Sequence, residues 1–152
     1  MMMKIFYGLL FLLIGTTFIT ANQKQEYTTK SISKMDSIKV KITIKDKTAT
    51  AFLYDNPTSR DFIAQFPLTL KLEDYASTEK ICELNQKLTS EDAPKGFDPS
   101  VGDITYYEPW GNIALFYKDF GYANGLISLG KITSGLEYFK SKGTILATFE
   151  LE

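Results

Sequence analysis

Residues 38–66 read IKVKITIKDKTATAFLYDNPTSRDFIAQF, and the changes of period inside this stretch decide the fold. Ile38, Val40, Ile42 and Ile44 fall on one side of an extended chain, with Lys39, Lys41 and Thr43 on the other. Period-two alternation is the pattern of a half-buried strand. Asp46-Lys47 supplies a short turn, and Thr48 to Tyr54 returns as the second strand of a hairpin. Asp55-Asn56-Pro57 then offers a capping side chain and a proline at the first helical position, where its missing N–H costs nothing. Phe62, Ile63 and Phe66 recur at helical spacing before Pro67 stops the helix. A helix this short needs packing to hold it.

Working outward, Pro67 to Glu73 alternates again as a third strand. Ser77 to Leu88 is mixed, with a helical turn expected near Ser77 to Ile81. Thr89 to Val101 is polar, holds two prolines and reads as a surface loop. Gly102 to Tyr107 and Asn112 to Lys118 are strands flanking a Pro109-Trp110-Gly111 turn; the second is apolar on both faces. Gly121 to Gly125 turns into a strand from Leu126 to Ile132. Ser134 and Glu137 have capping-box spacing and predict a second short helix, with Leu136 and Phe139 inward and Gly143 at its end. Thr144 to Leu151 closes the chain as a strand. Seven or eight strands with short connections predict a mainly β protein: a closed antiparallel β-barrel capped by two short α-helices.

Composition removes whole classes of chemistry. The 152 residues are one domain's worth, 44% hydrophobic and 23% charged, which argues against a disordered chain. Seventeen basic and 18 acidic side chains give a net charge of -1, so no basic footprint for nucleic acid exists. There is no histidine, which excludes Ser-His and Cys-His nucleophiles and histidine metal sites. The single cysteine, Cys82, permits no intrachain disulfide and no cysteine zinc cage; between Ile81 and Leu84 it reads as buried and inert. No calcium-loop or nucleotide-binding pattern occurs, and the expectation is no metal and no cofactor.

Residues 1–21 read as an export signal: Lys4 supplies the positive n-region, Ile5 to Ile14 the apolar run, and Ala21 a small residue before cleavage. The rival reading is an uncleaved anchor, since Ile5 to Ala21 is at the lower limit for crossing a bilayer. Export to the periplasm or the extracellular space is expected, with no stable membrane anchor after cleavage. Residues 22–36 are a flexible polar lead-in, and residues 37–152 form the folded domain, expected as a monomer.

The order of these elements resembles the cyclophilin fold. Two segments carry the likeness: Ala49 to Phe66, similar to the cyclophilin hairpin strand and first helix, and Leu126 to Lys140, similar to the strand with Phe-Gly-Lys-Val and the short helix after it. A group of bacterial cyclophilin-like domains, distinct from true prolyl isomerases, has a pattern much like Asp55-Asn56-Pro57-Thr58, Asp74-Tyr75, Glu79-Lys80, Gly102-Asp103, Pro109-Trp110-Gly111-Asn112 and Phe116-Tyr117. The resemblance spans about Ile38 to Glu152. It implies the barrel but not the isomerase. Cyclophilins place an arginine, within Phe-His-Arg, on the strand after the first helix to weaken the X-Pro amide, whose barrier is about 18–20 kcal/mol. Here that stretch is PLTLKLEDY, and the family's site histidine is missing as well.

A ligand site is expected around Trp110, Asn112, Phe116 and Tyr117, with Tyr106 as a further contact. A turn of proline, tryptophan and glycine fixes the indole, which either plugs an opening of the barrel or faces a ligand. Asn112 brings both a donor and an acceptor. Phe116 and Tyr117 point to opposite sides of one strand, so only one can share the Trp110 face. The surrounding aromatics fill the barrel or line a groove for a peptide or small apolar ligand. Arg60 is either a local ion pair or a carboxylate clamp. Glu79 and Asp103 are candidates for an acid–base couple, though nothing in their spacing joins them, and Glu79-Lys80 otherwise reads as a surface or capping feature. The function expected is a non-catalytic binding module; the alternative is a residual prolyl isomerase.

Overall fold

Strand β1, Ile38–Ile44, pairs antiparallel along its length with β2, Lys47–Leu53, in a computed structural model that describes residues 37–152. The expected signal, residues 1–21, and lead-in, residues 22–36, lie outside the described residues. The alternation acts as its period requires: Val40, Ile42, Ala49, Ala51 and Leu53 are buried, while their lysine and threonine neighbours are not. Helix α1, Pro57–Ile63, follows. Asn56 is its N-cap, its Oδ1 accepting the Ser59 N–H at 2.8 Å. Asn56 Nδ2 and Ser59 Oγ donate to the carbonyls of Ser128 and Leu129, fastening the helix start to a neighbouring strand. Phe62 meets Phe66 and Phe149 edge-to-face at 5.0 and 5.6 Å, which supplies the packing so short a helix needs.

The remaining barrel strands are β3 (Leu68–Tyr75), β4 (Glu79–Glu83), β6 (Asp103–Tyr107), β7 (Asn112–Phe116), β9 (Leu126–Ser134) and β10 (Ile145–Leu151). A separate two-stranded ribbon joins β5 (Gly96–Phe97) to β8 (Ala123–Asn124). The barrel closes in the order β1-β10-β3-β4-β7-β6-β9-β2, with every pair antiparallel. Inside lie Ile104, Tyr106, Ile113, Leu115, Ile127 and Leu129, among others, all buried in one core with Val40, Ile42 and Phe149.

Three expectations are corrected. The helical turn near Ser77 to Ile81 is instead a tight turn leading into β4, with Ala76 and Ser77 both at positive φ. The second helix is a 3-10 helix, Leu136–Lys140, not an α-helix, so the barrel carries one α-helix. Its N-terminus has no side-chain cap: Gly135 occupies the cap position at φ 78, and Ser134 remains in β9, where its hydroxyl meets Thr50 at 2.7 Å. Phe139 is buried as expected. Cys82 is half-buried rather than fully enclosed, and burial pushes its thiol pKa up.

Candidate ligand-binding site

The apolar character of both faces of β7 creates two separate apolar regions. Ile113 and Leu115 point into the barrel, while Asn112, Ala114 and Phe116 point outward. Strand register then lays out the outer surface in rows. Tyr75, Glu79 and Phe116 stand side by side across β3, β4 and β7. One step along, Ile81 sits opposite Ala114. A further step places Glu83, Asn112 and Tyr107 in line, with Leu126 next on β9. Ala114, the smallest member, is at the centre and leaves a hollow of about 270 Å³. Phe120 and Ala123, from the segment after β7, add to its walls.

Trp110 stands at the rim. The β6–β7 connection turns at Gly111, whose φ of +71 suits glycine and whose N–H bonds the Tyr107 carbonyl at 2.9 Å. The indole meets Tyr107 at 5.6 Å and Tyr75 at 5.9 Å, both edge-to-face, yet remains 54% exposed. It is therefore not a plug. A second hollow of about 320 Å³ lies beside it, between Ile81, Glu83, Trp110 and Asn112.

Asn112 lines both hollows and is only 4% exposed. Its Nδ2 donates to the Ile113 carbonyl at 3.2 Å, while its Oδ1 is buried without a hydrogen-bond partner. An unpaired buried acceptor costs on the order of 1–3 kcal/mol. Phe116 is 2% exposed and forms part of the wall, its ring 5.9 Å from that of Phe120.

Tyr106 and Tyr117 stand elsewhere. Tyr106 is fully buried inside the barrel, where its hydroxyl accepts the Leu88 N–H at 3.2 Å; Tyr107 is the β6 tyrosine that reaches the hollow. Tyr117 donates to Asp74 Oδ1 at 2.7 Å. Burial first, then this contact, pushes the Tyr117 phenol up to about 12, and the same bond holds the Asp74 carboxyl below its usual value. Asp74 also pairs with Lys80 at 3.1 Å. Lys80 is not a surface residue but fully buried.

Glu79, one half of the acid–base couple the sequence offers, belongs to this site. It forms no pair with Asp103, which bonds Lys131 at 3.1 Å and the Ser100 N–H at 2.8 Å. Glu79 instead lines the hollow, and removal from water alone pushes its carboxyl up to about 7. The folded state therefore holds this proton more tightly than the unfolded chain. Native Glu79 opposes folding as it ionises, so stability falls as pH rises from about 4.5 to about 7. Glu79→Gln is expected to flatten this slope, with a difference of about 1–2 kcal/mol after allowance for solvent screening, read from urea unfolding at the two ends of the window. An unchanged slope would show that Glu79 is already well solvated.

Arg60 is spent in an exposed ion pair with Asp55 at 2.7 Å and is not among the lining residues. Among the described residues, no three of Cys, Asp and Glu gather as a metal site, and no helix is long and apolar enough to cross a membrane.

A closed eight-stranded antiparallel barrel with an aromatic hollow on its outer face defines the class. The chain belongs to the cyclophilin-like family, whose model matches residues 42–150. Its fold is similar to the solution structure of the hypothetical protein AF2241 from Archaeoglobus fulgidus, with a TM-score of 0.53 and 16% identity over 76% of this chain and 95% of that one. No curated protein matches by sequence.

Proposed function

We propose that this protein is an exported, monomeric, non-catalytic binding module that holds a small ligand or peptide side chain in the hollow around Trp110. Asn112, a polar side chain in the lining of an otherwise largely apolar hollow, carries the reading: such pockets use a few placed polar groups to orient an apolar ligand. The ligand contacts proposed are Trp110, Asn112 and Phe116, joined by Tyr75, Tyr107 and Glu79. Tyr106 and Tyr117 act through the scaffold.

The isomerase alternative lacks its chemistry, because no basic side chain lines the hollow to hydrogen-bond a prolyl amide. A protease-coupled proline-isomerisation assay is expected to show no acceleration over the uncatalysed rate. Site occupancy is tested by titrating the ¹⁵N-labelled domain with aromatic fragments. The Asn112 side-chain amide and the Trp110 indole N–H should shift together. Shifts confined to residues elsewhere would remove the hollow as the site. Export is tested by the intact mass of the protein in the extracellular or periplasmic fraction. Cleavage after Ala21 is expected, and a full-length mass in the membrane fraction would support the anchor instead.

A further inference from the structure

We propose that the hollow is selective for an organic cation, an ammonium group carried on an apolar body; this rests on the binding-module reading and names its ligand class. Aromatic walls and carboxylates are all that the site offers a charge. Trp110, Tyr75 and Tyr107 form one cluster of rings, and Phe116 with Phe120 forms another. Ring faces attract cations, tryptophan most strongly, and the attraction grows as water is excluded. Glu79 stands between Tyr75 and Phe116 in the same row of the sheet and makes no ion pair among the described residues. Glu83 stands in the adjoining hollow across Trp110. Among the described residues neither hollow is lined by lysine or arginine. An anion would meet carboxylates with no compensating positive charge. A neutral apolar ligand would leave Glu79 to be desolvated without a partner.

The groups that face Glu79 leave it free for this role. On β3 the neighbours are the Tyr75 phenol and Asp74, the latter held by Tyr117 and Lys80. On β7 they are Phe116 and then Tyr117, whose hydroxyl is turned to Asp74. On β4 itself, the Lys80 ammonium is engaged by the Ser141 and Gly143 carbonyls and by Asp74. On β6, the Tyr107 phenol completes the set.

The test compares 2-phenylethylammonium with 2-phenylethanol, matched in size and differing in charge, using Trp110, the only tryptophan, as the fluorescent reporter. At pH 8 the ammonium should bind about tenfold or more tightly than the alcohol. Its affinity should fall as pH drops through about 7, where Glu79 takes up its proton, while the alcohol's stays level. Glu79→Gln should bring the two affinities together. Equal affinities in the unmodified protein would overturn the cation selectivity and leave the hollow as a binding site. A Trp110 signal unmoved by either probe would overturn the selectivity and the binding-site reading together.

Discussion

Lys80→Ala is expected to lower the unfolding free energy by about 3–5 kcal/mol, the cost typical of removing one partner from a buried charged network. An ammonium has three N–H donors, and all three have acceptors here: the Ser141 carbonyl at 2.6 Å, the Gly143 carbonyl at 2.7 Å and Asp74 Oδ1 at 3.1 Å. The two carbonyls belong to the segment between the 3-10 helix and β10, so one side chain ties that segment to β3 and β4. Truncation removes the fully buried stem and leaves two carbonyls and a carboxylate without their donor. Each kcal/mol moves the midpoint of a domain this size by about 4 °C, so thermal unfolding should shift by about 10 °C or more. Lys80→Met keeps the stem and discards only the charge. It should recover a minor part of the loss, whereas full recovery would mean that packing, not the three hydrogen bonds, holds the segment. A shift of under about 1 kcal/mol for Lys80→Ala would contradict the role of the network.

Ala114→Leu is expected to abolish binding to the hollow while leaving the domain folded. Ala114 is the small residue at the centre of the outward rows, flanked by Ile81 across the ladder and by Asn112 and Phe116 two positions away on its own strand. Extra methyl groups inside a packed core cost about 1–3 kcal/mol through strain. Ala114 is itself only 2% exposed, packed with Phe116 and Leu126 at the floor of the hollow, so the added methyl groups must partly displace these neighbours as they fill it. Unfolding should therefore cost about 1–3 kcal/mol, while affinity for 2-phenylethylammonium should fall by about a hundredfold or more. Retained affinity would mean that the ligand lies outside the floor formed by β4 and β7. Loss of folding in place of binding would mean that the hollow is closed in solution.

Period-two alternation made most of the barrel legible. Ile38 to Ile44 displays its inner and outer residues directly, and Asn112 to Phe116, apolar on both faces, already indicated a strand covered on both sides. The fourth strand, EKICE, was hidden because its inward residue is Lys80, and a charge at an inward position disguises the alternation. The second helix was misread because Gly135 takes the left-handed conformation at the cap, which keeps Ser134 in the strand. Tyr106, expected as a further contact, lies on the opposite face of β6 from the hollow. Asn112 pairs with Tyr107 across the hairpin, so residues sharing that outward face on β6 are odd-numbered, a signal available once the register is fixed. That Glu79 belongs to the hollow and not to a couple with Asp103 is not legible in the sequence, since its altered acidity comes only from burial between strands distant in sequence.

The most direct test of the account is a single variant, Trp110→Ala, measured for thermal stability and, by calorimetry, for binding of 2-phenylethylammonium. The indole is half-exposed and rests on two edge-to-face contacts, so its loss should cost about 1–2 kcal/mol of stability. Affinity should fall by about tenfold or more, because the ligand loses its largest ring face. A stability loss of about 3–5 kcal/mol with affinity unchanged is the behaviour of a core plug and would contradict the site.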